Sequence, residues 1–176
     1  HLNGIQPNVV TICHHGFTEM FNNVIDHSEA KTCLISFRRN FKRLKMSIID
    51  DGVGIFEKIT KACHLEDHRH AILELSKGKL TTDPDNHSGE GIFFTARMFD
   101  KFSILSGDLY FSCQDNEAWL IEDAERASPG TSVFMSIAQN SEKTAAEVFG
   151  KYAAEADGYD FTRTHVPVRF ARYGNE

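Results

Sequence analysis

The segment best suited to ligand chemistry is Asp50-Asp51-Gly52-Val53-Gly54. The preceding residues, 46–49, are mostly apolar and predict a buried strand that ends at the two carboxylates. Gly52 and Gly54 allow a sharp turn and let the backbone approach a ligand where a Cβ would collide. A carboxylate at such a turn can accept a hydrogen bond from an exocyclic amine while the bare backbone lies against a flat ring. A tight turn after an ordinary strand is the alternative.

A second polar group lies on the first predicted helix, residues 8–27, whose apolar residues recur at three- and four-residue steps. Glu19 and Asn23 are four apart, so both project from one face of this helix, a turn apart. A carboxylate and an amide oxygen at this spacing can hold a hydrated Mg²⁺ and a water. A solvated helix face near the C-terminal end is the alternative.

Glycines also precede a later helix. Residues 77–90 are rich in Gly, Pro, Asn, Asp and Ser and predict a long loop, of the kind that forms lids or is disordered. The loop ends in Gly89-Glu90-Gly91, and a helix is predicted over residues 94–99. Glycines that open a helix leave backbone N–H groups and the positive dipole end at one spot, which suits an anion. A flexible linker that enters a helix is the alternative.

Three histidines, His64, His68 and His70, lie in a broken helix predicted over residues 56–76. His64 and His68 would share one helix face and could bind a metal. Histidines in an acidic segment of this kind are more often solvent-facing, and the sequence favours that interpretation.

The elements that position these groups are a mixture of helices and short strands. An antiparallel hairpin is predicted from alternation over residues 31–40 and 43–50. Further strands are predicted over residues 102–106, 109–114, 118–123 and 131–137. A helix is predicted over residues 141–156 with Ser141 as its N-cap, followed at 159–173 by one or two strands without a partner.

Composition restricts the class of protein. The chain has 176 residues, 41% hydrophobic and 25% charged, which is one domain's worth of ordinary globular sequence. Its net charge of −6 argues against a nucleic-acid-binding surface, and the one basic run, residues 38–45, is interpreted as a solvated loop. No stretch approaches membrane-spanning length.

The four cysteines, Cys13, Cys33, Cys63 and Cys113, lie far apart and show no Cys-x-x-Cys spacing. This usage suits reduced thiols in a cytoplasm.

Four separated segments occur in an order that matches one superfamily. They are Glu19-x-x-x-Asn23, Asp50-x-Gly52-x-Gly54, Gly89-x-Gly91 and Gly130-Thr131. With these motifs the chain resembles, over residues 8–138, the GHKL ATPase superfamily of gyrase B, histidine kinases and MutL. The resemblance implies an α+β fold of the Bergerat type, a two-layer α/β sandwich. Its mixed, mostly antiparallel sheet would be covered on one face by helices, and its ligands would be ATP and Mg²⁺.

The resemblance implies an adenine end of the site. Asp50 would accept the hydrogen bond of the adenine N6 amine, and Gly52 and Gly54 would let the backbone pass the nucleotide. Thr131 would support this end beside Asp50 by hydrogen bonding through water.

The resemblance also implies a phosphate end. Asn23 resembles the Mg²⁺ ligand, and Glu19 matches the general base that orients a water or a substrate hydroxyl toward the γ-phosphate. Gly89 and Gly91 would bind phosphate through backbone N–H groups.

Subgroup features are mixed. Glu19 favours hydrolysing members and anti-sigma-factor serine kinases, because two-component histidine kinases usually have Asn or His at this position. The glycine box lacks the further glycine that many members place after it. No residue is identifiable as the γ-phosphate lysine of gyrase-like members, and Lys77 and Lys79 are candidates only.

The resemblance divides the chain into two parts. Residues 1–140 would form the ATP-binding domain, and residues 141–176 a linker helix and the first strands of a truncated STAS-like domain, to whose opening residues 160–174 are similar. Because the chain starts at His1 without a Met, we expect a module cut from a longer, cytoplasmic bacterial regulator.

Three functions follow from the resemblance. The first is an ATP-hydrolysing regulatory domain gated by a lid at residues 57–88. The second is a serine/threonine protein kinase of the anti-sigma type, and the third is a module that senses nucleotide without catalysis. The expected partners are a nucleotide and a protein partner or attached regulatory domains, with a homodimer left open. Neither nucleic acid nor membrane is expected to bind this segment.

Overall fold

The computed structural model describes residues 4–77, 90–114, 117–122, 128–153 and 168–172. Within these ranges the chain forms five helices and seven strands. In chain order they are α1 (Pro7–His27), β1 (Cys33–Arg39), β2 (Arg43–Asp50), α2 (Ile55–Ala62), α3 (His68–Lys77), α4 (Gly91–Met98), β3 (Lys101–Gly107), β4 (Leu109–Gln114), β5 (Glu117–Glu122), β6 (Ser128–Ala138), α5 (Ala145–Ala153) and β7 (Val168–Arg172).

The strands form one sheet in the order β1-β2-β6-β3-β4-β5-β7. Every neighbouring pair is antiparallel except β5 and β7, which are parallel. The predicted mixed, mostly antiparallel sheet is therefore confirmed. The terminal strand, which the sequence analysis left without a partner, pairs with β5 at the edge of this sheet. The division into two domains at residue 140 stays a prediction.

One face of the sheet is apolar and buried. The register brings Ile48, Val133 and Ile104 side by side across the three central strands, and all three are buried. On the opposite face Phe134, the residue after Val133, is 40% exposed. The helices pack against the buried face, where α1 contacts β2 and β6, and α2 and α4 contact β3. This arrangement confirms the predicted α+β sandwich with helices over one side of the sheet.

Helix α1 is the long element of the helical layer. Pro7 occupies its first turn, where a missing N–H costs nothing, and the buried residues recur at three- and four-residue intervals. At Gly16 the helix comes so close to α4 that a Cβ would overlap the ring of Phe99. This close packing of α1 on α4 brings the two helices with predicted phosphate-end residues together.

The broken helix of the sequence analysis is two helices, α2 and α3, and both pack into the core. Phe56 and Ile59 of α2 and Ala71 and Ile72 of α3 are buried. Residues 57–77 were expected to belong to a lid, but the apolar faces of their helices pack into the core. Residues 78–89, the rest of the predicted lid, lie outside the described residues.

Helix α5 begins later than predicted. Thr144, not Ser141, precedes its first residue, and its hydroxyl oxygen accepts a hydrogen bond from the backbone N–H of Glu147 at 3.1 Å. The Glu147 carboxylate accepts in return from the backbone N–H and the hydroxyl of Thr144. This reciprocal capping box replaces the single serine cap that was predicted.

Candidate functional site

The two adjacent aspartates at the end of β2 have separate roles. Because side chains alternate along a strand, Asp50 points to the buried face and is 5% exposed, whereas Asp51 is exposed. Asp50 Oδ1 accepts hydrogen bonds from the backbone N–H groups of Gly52 (2.9 Å) and Thr131 (3.3 Å). Asp51 accepts from the N–H groups of Lys31 and Thr32, each at 2.9 Å, and from the Thr32 hydroxyl at 2.8 Å.

Their acidities shift in opposite directions. Burial raises the pKa of Asp50 above its usual value, against the opposing effect of its hydrogen bonds from Gly52 and Thr131. The hydrogen bonds from Thr32 hold the pKa of Asp51 below its usual value. The hydrogen bonds of Asp51 therefore hold the end of β2 against residues 31–32, just before β1. The Asp50 carboxylate is the one that faces the interior.

The backbone around Asp50 is crowded at the glycines. A Cβ at Gly52 would overlap the carbonyl oxygen of Ser28, and one at Gly130 would overlap the carbonyl oxygen of Asp50. Gly54 and Gly130 also have positive φ values of 84° and 70°, which L side chains rarely adopt. These glycines let three backbone segments cross beside one carboxylate.

Thr131 and Ser106 complete this cluster. Thr131 is the register partner of both Asp50 and Ser106, so the three side chains lie in a row on the buried face. The Thr131 hydroxyl oxygen accepts from the backbone N–H of Ile55 at 3.0 Å, and the Ser106 hydroxyl donates to the carbonyl of Gly130 at 2.8 Å. Thr131 lies beside Asp50 in the register, and its hydroxyl hydrogen is the part that can still donate to a ligand or water.

Ser28 joins helix α1 to the same turn. It caps the helix, with its N–H donating to Val24, and its own carbonyl accepts from Val53 at 2.9 Å. The helix that carries Glu19 and Asn23 thus ends directly on the glycine turn after Asp50. Ser28 and Ser106 were not identified from the sequence, because both act through contacts with residues distant in the chain. A serine at the predicted end of a helix was the available signal for Ser28.

At the other end of the candidate site Glu19 lies against Gly91, the first residue of α4. A Cβ at Gly91 would overlap the Glu19 carboxylate, so a residue larger than glycine does not fit without movement. The carboxylate lies near the N-terminus of α4, where the partial positive charge of the helix favours an anion. The structure thus brings together two of the predicted phosphate-end residues.

The remaining predicted residues of the phosphate end are Asn23, Gly89 and the candidate lysines Lys77 and Lys79. Asn23 is half-buried on α1, one turn beyond Glu19, and makes no hydrogen bond within the described residues. Lys77 ends α3, and Gly89 and Lys79 lie outside the described residues.

The histidine cluster does not form a metal site in the part of the chain that is described. His68 Nε2 bonds the Glu57 carboxylate at 2.6 Å and links α3 to α2, while His70 Nδ1 lies 4.0 Å from Asp67 Oδ1. No three His, Cys, Asp or Glu side chains among the described residues converge in a way that could hold a metal ion.

The cluster around Asp50 fits a ligand that carries an amine. Oδ1 is held by two backbone donors, and no donor among the described residues is bonded to Oδ2. Asp50 is 5% exposed, and Oδ2 is the carboxylate oxygen left for a ligand or water. The oxygen-rich side chains of Glu19 and Asn23 are of the kind that Mg²⁺ prefers.

The chain is similar in structure to solved proteins, but no match was found by sequence. No family model matches the chain, and no curated protein matches it. A search of solved structures finds the 43K ATPase domain of Thermus thermophilus gyrase B in complex with an aminocoumarin, at 16% sequence identity and a TM-score of 0.42. The match covers 91% of this chain and 43% of the gyrase B chain, so this chain spans less than half the length of that one. None of the helices in the described ranges is both long and apolar enough to cross a membrane.

Proposed function

We propose that this chain is an ATP-binding domain of the GHKL type in which Asp50 accepts the hydrogen bond of the adenine amine. The observation that carries the proposal is the buried Asp50 carboxylate, with Oδ1 held by two backbone N–H groups. Oδ2 is then the acceptor for the amine, and the glycine turn lets the ring approach the backbone. Thr131 supports the same end through its hydroxyl hydrogen.

The phosphates bind at the start of α4 in this proposal. The contact between Glu19 and Gly91 supports it, because Glu19, the proposed general base, lies beside the N-terminus of α4, where the helix dipole and backbone N–H groups favour an anion such as phosphate. Asn23, with Glu19 beside it, would hold Mg²⁺, which neutralises phosphate charge when bound. Gly89 is assigned to the phosphate end as well, because it belongs to the Gly89-x-Gly91 motif.

Glu19 then orients a water for attack on the γ-phosphate, and the domain serves a longer bacterial protein as a Mg²⁺-dependent nucleotide switch. Its helices α2 and α3 are packed into the core, so we do not assign them to a moving lid. Transfer of the γ-phosphate to a protein hydroxyl would use the same Glu19 carboxylate. Hydrolysis and phosphotransfer are separated by measuring whether the γ-phosphate is released as inorganic phosphate or becomes attached to a protein.

The test is calorimetric titration of ATP with Mg²⁺ into the wild type, Asp50→Asn and Asp51→Asn. Asparagine at position 50 keeps an oxygen for the two backbone donors but exchanges the second oxygen for an NH₂ group. We expect affinity to fall by about 5- to 150-fold in Asp50→Asn, since an unpaired buried polar group costs about 1–3 kcal/mol. Asp51→Asn, the matched control, should bind like the wild type.

Circular dichroism and the unfolding midpoint confirm that each variant is folded. Equal affinity of Asp50→Asn and the wild type would contradict the assignment of the adenine acceptor. Absence of binding to the folded wild type would contradict the proposed function itself.

A further inference from the structure

Strand β1 is an edge of the sheet that helix α1 leaves uncovered. It pairs with β2 on one side, and no strand among the described residues pairs with it on the other. Six of its seven residues are exposed. An edge strand of this kind presents backbone N–H and C=O groups that another chain can pair with.

An apolar groove lies beside this edge, between α1 and the β1–β2 hairpin. Its volume is about 270 Å³, and the residues that matter here are Val10, Cys13 and Phe17 of α1 with Ile35, Phe37 and Met46. Ile35 and Phe37 pair in register with the buried Ile48 and Met46, yet they are 45% and 48% exposed. The apolar face of the sheet therefore continues beyond the helical layer. None of the described residues that line the groove is acidic.

The hairpin end of this edge is basic. Arg38, Lys42 and Lys45 are exposed, in a chain whose net charge is −6, and so is Arg39, whose Nε donates to Gln139 Oε1 at 2.9 Å. Arg43 is not part of this group, because it forms an ion pair with Asp100 at 2.8 Å. The opposite end of β1 pairs with the end of β2, where Asp50 is buried and Asp51 is exposed.

We propose that the β1 edge and its groove bind an extended segment of a partner protein, which adds to the sheet as a strand. Apolar residues at alternate positions of this segment pack against Ile35, Phe37 and the groove. Acidic residues at one of its ends lie against the basic hairpin end of β1. Backbone pairing supplies affinity, and the basic end sets the direction of the bound segment. The proposal uses none of the residues assigned to the nucleotide site and does not depend on that assignment, although Cys33 at one end of β1 pairs with Asp50.

Two other occupants fit the surface less well. If a second copy paired antiparallel about Ser36, Arg38 would face the exposed Leu34 and Arg39 would face Cys33, and the cations would gain no opposite charge. A nucleic acid would match the cations but would leave the apolar groove unfilled. The combination of groove and cations favours an acidic, partly apolar peptide.

The test is selection of random dodecapeptides, displayed on phage, against the immobilised wild type. We expect the selected sequences to alternate apolar residues and to carry Asp or Glu at one end. Synthetic copies with a fluorescent label then give affinities by anisotropy for the wild type, Arg38→Glu and the matched control Lys101→Glu. Lys101 is an exposed residue at the start of β3 and changes the net charge by the same amount.

Arg38→Glu should weaken binding by about tenfold or more, and Lys101→Glu should leave it close to wild type. Replacement of Ile35 by Ser should also weaken binding, while the unfolding midpoint shows that the variant is folded. The proposal is overturned if the selected peptides lack acidic residues, or if Arg38→Glu and Lys101→Glu bind them equally. A dimer of the wild type that Ile35→Ser dissociates, or an oligonucleotide that binds the hairpin instead of peptide, would overturn it as well.

Discussion

Asp50 and Asp51 show how one position along a strand changes the chemistry of the same side chain. Asp50 is buried with its pKa raised, and Asp51 is exposed with its pKa lowered by hydrogen bonds from Thr32. Asp50, the last residue of β2, faces the buried side, whereas Asp51, the first residue beyond the strand, is exposed and hydrogen-bonded to Lys31 and Thr32, so Asp50 is the carboxylate that faces a ligand on the buried side. The hypothesis that this segment binds a ligand depends on this difference in burial between Asp50 and Asp51.

The pH dependence of stability should separate the two residues. A raised pKa means that the contribution of Asp50 is fully present below its unfolded pKa and is lost as pH rises through the folded value. A lowered pKa means that the contribution of Asp51 is present above its unfolded pKa and is lost as pH falls through the folded value. As pH rises, the free energy of unfolding of the wild type relative to Asp50→Asn should therefore fall. The free energy of unfolding of the wild type relative to Asp51→Asn should rise over the same pH range.

Urea unfolding of the three proteins between about pH 3 and about pH 7 measures these slopes. Slopes of the same sign for the two variants would show that the separation of the aspartates in the structure is incorrect.

Glu19→Gln tests the proposed catalytic role at the residue scale. Glutamine has the same size and can keep the contact with Gly91, but it cannot accept a proton. We expect phosphate release from ATP to fall by about 10²–10⁴-fold, the range for loss of a general base. ATP affinity should be unchanged or higher, because a negative charge near the phosphates is removed.

Glu142→Gln, which changes an exposed carboxylate beyond β6, is the control and should release phosphate at the wild-type rate. If Glu19→Gln also releases phosphate at that rate, Glu19 is not the base.

At the scale of elements, the candidate site depends on the position of α1. The helix packs on α4 through Gly16, and its carbonyl at Ser28 contacts the glycine turn after Asp50. Both ends of the candidate site are therefore set by one rigid helix held at two points. A small displacement of α1 would move Glu19 relative to Gly91.

Two glycine-to-alanine changes should have opposite effects on stability. A Cβ at Gly16 would overlap the buried ring of Phe99, which costs about 1–3 kcal/mol and exceeds the gain of about 1 kcal/mol in helix propensity. Gly150 in α5 has nothing within 4 Å of its would-be Cβ, so only the propensity gain remains. We expect Gly16→Ala to lower the free energy of unfolding and Gly150→Ala to raise it, as measured by urea titration. A stabilising Gly16→Ala would contradict the close approach of α1 and α4.

At the scale of the whole molecule, local patterns predicted the elements well where periodicity was strong. The hairpin was predicted to end at Asp50, and β2 does end there; the first helix was expected over residues 8–27 and spans Pro7–His27. Along β2, buried residues alternate with more exposed ones, which agrees with the alternation from which the hairpin was predicted. These features depend on neighbours in sequence, so a pattern in the sequence records them.

Features that depend on distant residues were missed or predicted incorrectly. Ser28 and Ser106 gain their roles from Val53 and Gly130, which no local pattern connects to them. The N-cap of α5 was assigned to Ser141, because a serine before a helical pattern looks equivalent to the threonine that forms the capping box with Glu147. The parallel pairing of β7 with β5 likewise joins segments far apart in the chain.

The central claim is the bond between Asp50 and the amine of adenine, and a cycle that varies both partners tests it most directly. The measurement is the affinity of the wild type and Asp50→Asn for ATP and for purine riboside triphosphate, which lacks the amine. The wild type should prefer ATP by about tenfold or more, equivalent to about 1.4 kcal/mol, and Asp50→Asn should lose this preference. If the wild type binds both nucleotides equally, or if Asp50→Asn keeps the full preference for ATP, Asp50 does not recognise the amine.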